Sequence, residues 1–225
     1  MTQATDLANA INSFVVGCKQ DGIWDPIKAC CIMAAWDGLA GALYPLKGAA
    51  PTNVNFVSGD YNRETGLVGD GASKYLNSNR AGNADPQNNQ HVSVYATTAN
   101  TTNSAVIDSG ATTAGGTAIS RYNATIEFRS QNNIPSVFTA TPTGLVALSR
   151  SSPLEYDARF SQASQTLSGG SQVPGSGNYF VFTWSNSSGG SNARLSFYSI
   201  GESLDLAKLD TRVTQLMTDI GAAIP

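Results

Sequence analysis

The sequence predicts a mainly β fold, an antiparallel β-sandwich with a helical segment at each end. From about residue 50 to about residue 200, glycine, asparagine, serine and threonine separate many short apolar or alternating runs, a pattern typical of a sandwich or barrel. Helical crossovers between these runs are not seen in the sequence, which disfavours a parallel α/β sheet. We therefore expect an N-terminal helical attachment segment at residues 1–48, the sandwich at 49–202, and a C-terminal helix at 203–225.

The N-terminal part is predicted to be a helical hairpin. The first helix spans residues 4–19, and Gly22 ends it; its apolar face is formed by Leu7, Ile11, Phe14, Val15 and Cys18. Asp25 and Pro26 are predicted to be the N-cap and first residue of a second helix, because a proline there loses no needed N–H. That helix would end at Asp37-Gly38, and its apolar face would be Ile27, Cys30, Cys31 and Ala34.

Ten segments between the helical ends are candidate strands. Residues 91–96 and 178–184 alternate most cleanly, so each has one face to bury. The ten segments are 53–58, 74–78, 91–98, 105–109, 118–123, 125–130, 144–150, 154–161, 179–185 and 193–200.

The C-terminal segment is predicted to be one amphipathic helix. Ser203 is the expected N-cap, with Asp205 in the first turn, where the helix dipole favours an anion. The apolar stripe must dock on the sandwich or on a partner chain; it consists of Leu206, Leu209, Val213, Leu216, Met217 and Ile220.

Composition narrows the set of partners. Only 13% of residues are charged and the net charge is -3, with no basic stripe, so nucleic acid is not an expected partner. No run approaches the roughly 20 apolar residues of a membrane span, and the N-terminal residues 1–6 do not resemble a secretory signal. Cys18, Cys30 and Cys31 are expected to be small buried residues rather than a disulfide framework, which fits folding in a reducing cytoplasm.

Few residues are suited to catalysis. His91 is the one histidine, no Gly-x-Ser-x-Gly motif is present, and zinc ligands at the usual spacing are missing. Glu155 and Asp157 resemble part of a glucanase carboxylate motif, but the third carboxylate is missing, so we interpret this run as a strand whose polar residues face water. We predict no enzymatic activity, no catalytic residues and no cofactor. Hydrolysis by carboxylates that folding brings together remains the alternative.

Acidic and amide side chains in the loops have two interpretations. Asp60, Asp70 and the asparagine-rich stretch 83–89 carry oxygen ligands of the kind calcium prefers. They do not follow the EF-hand order, and loop Asp and Asn usually cap turns. We predict no metal site, with calcium binding as the alternative.

Several blocks of the chain resemble virion proteins of tailed bacteriophages, especially marine and cyanobacterial ones. These blocks are residues 14–18, 21–24, 55–71, 74–76, 83–88 and 197–205. That group resembles the concanavalin A-like, or laminin-G-like, jelly roll, in which a strand such as 71–76 opens the sandwich and one such as 197–204 closes it. The resemblance implies this fold and a place in the virion, which is assembled in the host cytoplasm. It implies no catalytic residues.

Two functions follow from the resemblance and from the residues. The first is a non-enzymatic structural protein on the outer surface of the virion, a capsid decoration (cement) or head-fibre protein. It would bind capsid or other virion proteins, and a second copy of itself is a further candidate partner. Exposed aromatic residues of the N-terminal segment would be natural anchors: Trp24, Trp36 and Tyr44. The alternative is that these three residues pack the helical hairpin onto the sandwich.

The alternative is a receptor-binding or glycan-binding, lectin-like module of a tail or head fibre. Aromatic, amide and charged side chains on loops suit recognition of host-surface glycans. The candidate binding residues form one predicted turn: Asp60, Tyr61, Asn62 and Arg63. Ordinary turn structure would explain the same residues.

Overall fold

The computed structural model describes residues 3–110, 114–185 and 187–224, so Met1 and Pro225, which end the two predicted terminal segments, lie outside the described residues. The helices are α1 (Gln3–Gln20), the short α2 (Leu39–Ala42) and α3 (Leu206–Ala223). The strands are β1 (Ile27–Ile32), β2 (Thr52–Val54), β3 (Tyr61–Asn62), β4 (Gly66–Val68), β5 (Tyr75–Ala81), β6 (Gln90–Thr98), β7 (Ala105–Asp108), β8 (Ala118–Tyr122), β9 (Thr125–Arg129), β10 (Ser136–Phe138), β11 (Gly144–Arg150), β12 (Glu155–Phe160), β13 (Ala163–Ser168), β14 (Asn178–Val181) and β15 (Arg194–Gly201).

The strands form two antiparallel sheets that pack face to face as a concanavalin A-like jelly roll. The seven-stranded sheet has the order β10-β9-β8-β7-β14-β5-β2. The eight-stranded sheet has the order β13-β12-β11-β6-β15-β4-β3, and β1 pairs with the end of β15 that β4 leaves free. The predicted mainly β sandwich with a helix at each end is confirmed.

The core has two parts, one on each face of the eight-stranded sheet. Between the sheets, side chains from both inner faces interdigitate, among them Phe128 and Tyr198. On the outer face of the eight-stranded sheet, α1 and α3 pack against each other and against the sheet, where Phe14 meets Phe197 edge-to-face with ring centroids 5.8 Å apart. The molecule therefore has three layers: two helices, the eight-stranded sheet and the seven-stranded sheet.

The predicted second helix of the N-terminal hairpin is wrong. Its residues form β1, which pairs antiparallel with β15 and is buried on both faces: Cys31 faces the sandwich interior, and Cys30 faces α1 and α3. A strand covered on both sides has a continuous apolar run, which periodicity does not distinguish from a buried helix. Segment 1–48 is therefore helical only in part, and it supplies a strand to the sandwich.

The C-terminal helix is confirmed, but Ser203 is not its N-cap. Asp205 caps α3, because its carboxylate accepts hydrogen bonds from the backbone N–H groups of Ala207 and Lys208. The Ser203 hydroxyl instead donates to Asn89. Buried apolar residues of the predicted stripe dock within the same chain, against α1 and the eight-stranded sheet.

The ten predicted strands all overlap observed ones. The short strands β3, β4 and β10 and the exposed strand β13 were not predicted, since none combines length with a clear apolar alternation. The three cysteines are buried and free, as expected, and burial raises the pKa of Cys18 to about 12 and that of Cys31 to about 11. Over the described residues, neither of the long helices is apolar enough to cross a membrane.

Candidate functional site

A cleft of about 330 Å³ lies on the outer face of the seven-stranded sheet. We call it the outer cleft; its lining residues are Asn103, Asp108, Tyr122, Glu127, Arg129, Trp184, Ser185 and Ser188. The alternation of β9 places two of them there: Ile126 and Phe128 face the core, so Glu127 and Arg129 point outward. The volume lies within the range of small-molecule sites.

Asp108, at the end of β7, joins the sheet to the loop that carries Trp184. Its carboxylate accepts hydrogen bonds from the backbone N–H groups of Ser185 at 2.5 Å and Gly110 at 2.9 Å. These bonds hold the loop against the sheet beside the carboxylate. Trp184, the residue before Ser185, is thereby placed at the wall of the outer cleft.

Aromatic rings and hydrogen-bonding groups share this cleft. Tyr122, the last residue of β8, has 49% of its surface exposed, and Trp184 is half-buried. An Arg129 guanidinium nitrogen, Nη2, donates to Glu127 Oε2 at 3.2 Å. Two carboxylates and one guanidinium give the cleft a net charge of -1 and an excess of hydrogen-bond acceptors.

The predicted glycan turn, Asp60 to Arg63, is occupied by contacts within the protein. Asp60 is buried, accepts from the Val57 N–H and forms an ion pair with Lys74 Nζ at 2.5 Å. Burial is the largest single influence on the pKa of Asp60 and raises it. The Lys74 ammonium and the hydrogen bond from the Val57 N–H together outweigh burial and hold this pKa below its ordinary value.

The remaining turn residues also bond inside the chain. Asn62 Oδ1 caps the turn by accepting from the N–H groups of Glu64 and Thr65. The Tyr61 hydroxyl donates to the Trp36 carbonyl at 2.6 Å, and burial raises the pKa of Tyr61 to about 12. The role of these four residues in glycan binding stays a prediction, and the turn structure accounts for the contacts seen.

Arg63 and Trp36 come together at a second concavity, an apolar groove of about 530 Å³ beside α1. We call it the α1 groove; it is lined by Ala4, Leu7, Ala8, Ile11, Asn12, Val15, Ala35, Trp36, Asp37 and Arg63. At one end Arg63 forms an ion pair with Asp37 at 3.1 Å and donates to the Ala35 carbonyl. The Trp36 indole donates to the Ile32 carbonyl.

The other two predicted anchors are not part of the groove lining. Trp24 packs against the helix-side core, and Lys47 Nζ lies 4.9 Å from the centre of its ring. Tyr44 is 71% exposed. The three aromatic residues thus do not form one site, and their role in attachment stays a prediction.

Other candidates from the sequence have structural roles. Glu155 and Asp157 lie on the exposed face of β12, as predicted, and Asp157 accepts from Thr166. His91 is buried in β6 between the Glu202 carbonyl and the Ser199 hydroxyl. Asp70 caps the turn 71–74. Within the described residues, no three His, Cys, Asp or Glu side chains come together as metal ligands would.

No protein-family model matches the chain, and no curated protein does. The solved structures that resemble its fold include the following three. The receptor-binding domain of botulinum neurotoxin D aligns with a TM-score of 0.53 at 12% identity, over 85% of this chain and 52% of that one. A Trypanosoma rangeli sialidase bound to a difluorinated KDN aligns at 0.51 and 12%, over 87% and 33%. Domain 4 of an extracellular GH43 arabinanase from Geobacillus stearothermophilus, bound to arabinotriose, aligns at 0.48 and 12%, over 76% and 82%.

At these identities the likeness concerns the fold alone. The class that the fold defines is the two-sheet, concanavalin A-like β-sandwich. The chain spans about half of the toxin domain and a third of the sialidase.

Sequence reasoning missed the outer cleft. Its residues come from separate stretches, at 103–108, 122–129 and 184–188. One signal was available: the alternation around Glu127-x-Arg129 in a predicted strand places both charges on one face. Asp108 and Trp184 come to lie beside these two charges through strand pairing, and the order of the strands in the sheet is not visible in a local sequence pattern.

Proposed function

We propose that this chain is a non-enzymatic, lectin-like module that binds a neutral glycan in the outer cleft. The observation that carries the proposal is that two aromatic residues, Tyr122 and Trp184, line the same cleft as two carboxylates and a guanidinium. The C–H face of a sugar ring packs on an aromatic ring, and its hydroxyls exchange hydrogen bonds with charged groups. Hydrogen bonds to charged groups contribute about 1.5–3 kcal/mol each.

The charge of the outer cleft favours neutral over acidic sugars. Asp108 and Glu127 are acceptors, so they suit hydroxyl donors, whereas an anionic sugar would face two carboxylates against one guanidinium. Arg129 is in addition engaged with Glu127. We therefore expect binding of neutral hexose-containing oligosaccharides and weaker binding of sialylated or sulfated ones.

The same contacts argue against hydrolysis. A glycosidase needs one carboxyl that delivers a proton and a second that acts as nucleophile or base. Asp108 accepts hydrogen bonds from two backbone N–H groups, and Glu127 accepts one from Arg129. Both carboxylates are thus held as acceptors. Release of reducing sugar from a host exopolysaccharide would overturn the non-enzymatic part of the proposal.

Similar structures give fold-level support. One is the receptor-binding domain of a toxin, and another is a sialidase crystallised with a sugar derivative. Sandwiches of this shape therefore occur in proteins that bind receptors or sugars, which is an analogy and not a site-by-site match.

The test is a binding measurement on purified protein, by glycan array and then by calorimetry with the best neutral oligosaccharide. Trp184→Ala should reduce affinity about 10-fold to 100-fold, because an aromatic anchor of a binding site is worth about 1.4–2.8 kcal/mol. The matched control is Tyr44→Ala, which removes an exposed aromatic residue outside the cleft and should leave affinity unchanged. Equal affinity of the wild type and Trp184→Ala, or no binding to any host polysaccharide, would refute the proposal.

We further propose that the module is displayed on the surface of a tailed-phage virion, and the support for this setting is the sequence resemblance.

A decoration role on the capsid is the second candidate function. The α1 groove favours it, since an apolar concavity with Trp36 at its wall suits contact with a capsid protein. Locating the chain by electron microscopy of purified particles separates head from tail, and absence from capsids would refute decoration.

A further inference from the structure

A small cavity lies between the two sheets, apart from the outer cleft and the α1 groove. Its volume is about 30 Å³, room for about two water-sized groups. Its walls are largely aliphatic, from Val94, Val106, Ile119, Ile126 and Val146, and the segment 140–142 lines it as well.

Arg121 is the one charged residue in this lining. It lies on β8 two residues after Ile119, which belongs to the core between the sheets, so its side chain is on the inward face. Arg121 as a whole is half-buried. Its Nε and Nη1 atoms are buried, and within the described residues neither has a hydrogen-bond partner.

Each of the other seven arginines has at least one carboxylate or carbonyl partner within the described residues. Five form ion pairs with carboxylates: Arg63, Arg80, Arg129, Arg159 and Arg212. Arg194 donates to the Gly66 carbonyl, and Arg150 donates to carbonyls that include those of Ser130 and Gly169. Each of these guanidinium groups thus has an acceptor within the protein, whereas the guanidinium of Arg121 faces a cavity.

An unpaired guanidinium in such a place is unfavourable. The group stays charged at any ordinary pH, and a buried donor that lacks an acceptor destabilises the fold. Asn100, Ser120 and Thr141 also line the cavity, but none of them accepts a hydrogen bond from these two nitrogens and none carries a charge. A water molecule would likewise supply an acceptor without neutralising the charge. A small anion supplies both.

We propose that the Arg121 cavity binds a small monovalent anion, of the size of chloride, bromide or nitrate. The anion would accept a hydrogen bond from the inward-facing guanidinium and balance its charge between the sheets. Gluconate is a six-carbon anion and much larger than the two water-sized groups that the cavity accommodates, so it serves as the reference anion. Binding of this kind stabilises the folded chain, because the unfolded chain has no such cavity.

The test is thermal unfolding of the full chain in sodium chloride or bromide, compared with sodium gluconate at equal ionic strength. We expect the wild type to gain about 2–4 °C in Tm when the anion exceeds its dissociation constant about fivefold. Arg121→Met should lose this gain. The matched control Arg159→Met removes a guanidinium that is paired with Asp210 and should keep it. An equal halide response in wild type and Arg121→Met would overturn the proposal.

A second measurement does not depend on the variant folding. Wild-type crystals soaked in bromide should show an anomalous peak within hydrogen-bonding distance of Arg121. A map with water alone at this position, or with bromide bound elsewhere and not here, would refute the site. Neither experiment involves a glycan, so the result is independent of the outer cleft.

Discussion

The outer faces of the two sheets have opposite environments. On the eight-stranded sheet, α1 and α3 cover an apolar face that includes Leu145, Ala147 and Phe197. On the seven-stranded sheet, the outward side chains include Glu127, Arg129 and the exposed ring of Tyr122.

This difference assigns the stability of the fold mainly to one outer face and ligand recognition to the other. The helix-covered face adds a second apolar core to the one between the sheets, and burial of apolar surface is the main favourable term in folding. The other outer face exposes the Tyr122 ring at the outer cleft, and Asp108 and Glu127 lie largely buried in the walls of that cleft, where a ligand that enters it meets them. We therefore expect substitutions on the first face to change the free energy of unfolding, and substitutions on the second to change binding.

Phe197→Ala should produce the largest effect. Phe197 is fully buried between β15 and α1, and its ring packs edge-to-face on Phe14. Truncation of a buried phenylalanine destabilises a protein by about 3–5 kcal/mol. Urea unfolding of the variant should show a loss of this size. If Phe197→Ala does not fold, Phe197→Leu should show a smaller loss of unfolding free energy. A stability equal to wild type in either variant would contradict the role of the helix-covered face.

The buried His91 should make stability depend on pH. Burial lowers the pKa of His91 to about 4 from an ordinary value of 6.5, so the folded chain binds fewer protons than the unfolded chain between these values. The free energy of unfolding therefore rises with pH across this window, by about 3 kcal/mol. The stabilisation is present above pH 6.5 and is lost as pH falls through about 4.

The measurement is the free energy of unfolding at a series of pH values from 4 to 7. The variant His91→Gln has no titrating side chain at this place, so its profile should be flatter than the wild-type profile by the same amount. Parallel profiles in the two proteins would show that His91 titrates alike in the folded and unfolded chains.

The same contrast explains which elements could be predicted from the sequence. Strands with one apolar face, such as β6 and β9, were recognised from their alternation. β1 was mistaken for a helix because both of its faces are buried, one by the sandwich and one by α1 and α3. Its apolar run, Ile27 to Ile32, therefore has no period that distinguishes strand from helix.

The candidate site was harder to predict than the fold. Asp60 to Arg63 had suitable chemistry for glycan binding, yet their polar groups bond to Lys74, Thr65 and Trp36 inside the protein. The outer cleft depends instead on the pairing of β7 with β8 and β14, which brings Asp108 beside residues distant in sequence. Strand order is a tertiary property, and no local pattern encodes it.

Tyr122→Ala should show the reverse of Phe197→Ala. Because Tyr122 is 49% exposed at the end of β8, we expect a loss of unfolding free energy below about 1 kcal/mol. Glycan affinity should fall, since the ring lines the outer cleft. Urea unfolding and calorimetry on the same protein preparation check both effects. Val173→Ala, a change at an exposed residue outside the cleft lining, is the control and should leave both quantities near wild type.

The smallest effect is expected at the ion pair between Asp21, just after α1, and Arg212 of α3, with Arg212 Nε 2.7 Å from Asp21 Oδ2. The hydrogen bond from Arg212 holds the pKa of Asp21 below its ordinary value of 3.8. The folded chain is thus less protonated than the unfolded chain near that pH, so the stabilisation is present above about pH 4 and disappears as pH falls through the lowered value.

Asp21→Asn should therefore be slightly less stable than wild type at pH 7, with a difference that shrinks at low pH and in high salt, because exposed charges are screened. Unfolding of both proteins at pH 7 and pH 3, each at low and high salt, measures the four differences. A difference that persists unchanged at pH 3 would assign the effect to side-chain packing instead of charge. In that case the apolar faces of α1 and α3 alone would hold the two helices together. These faces already form most of the contact between them, because their buried residues belong to one apolar core.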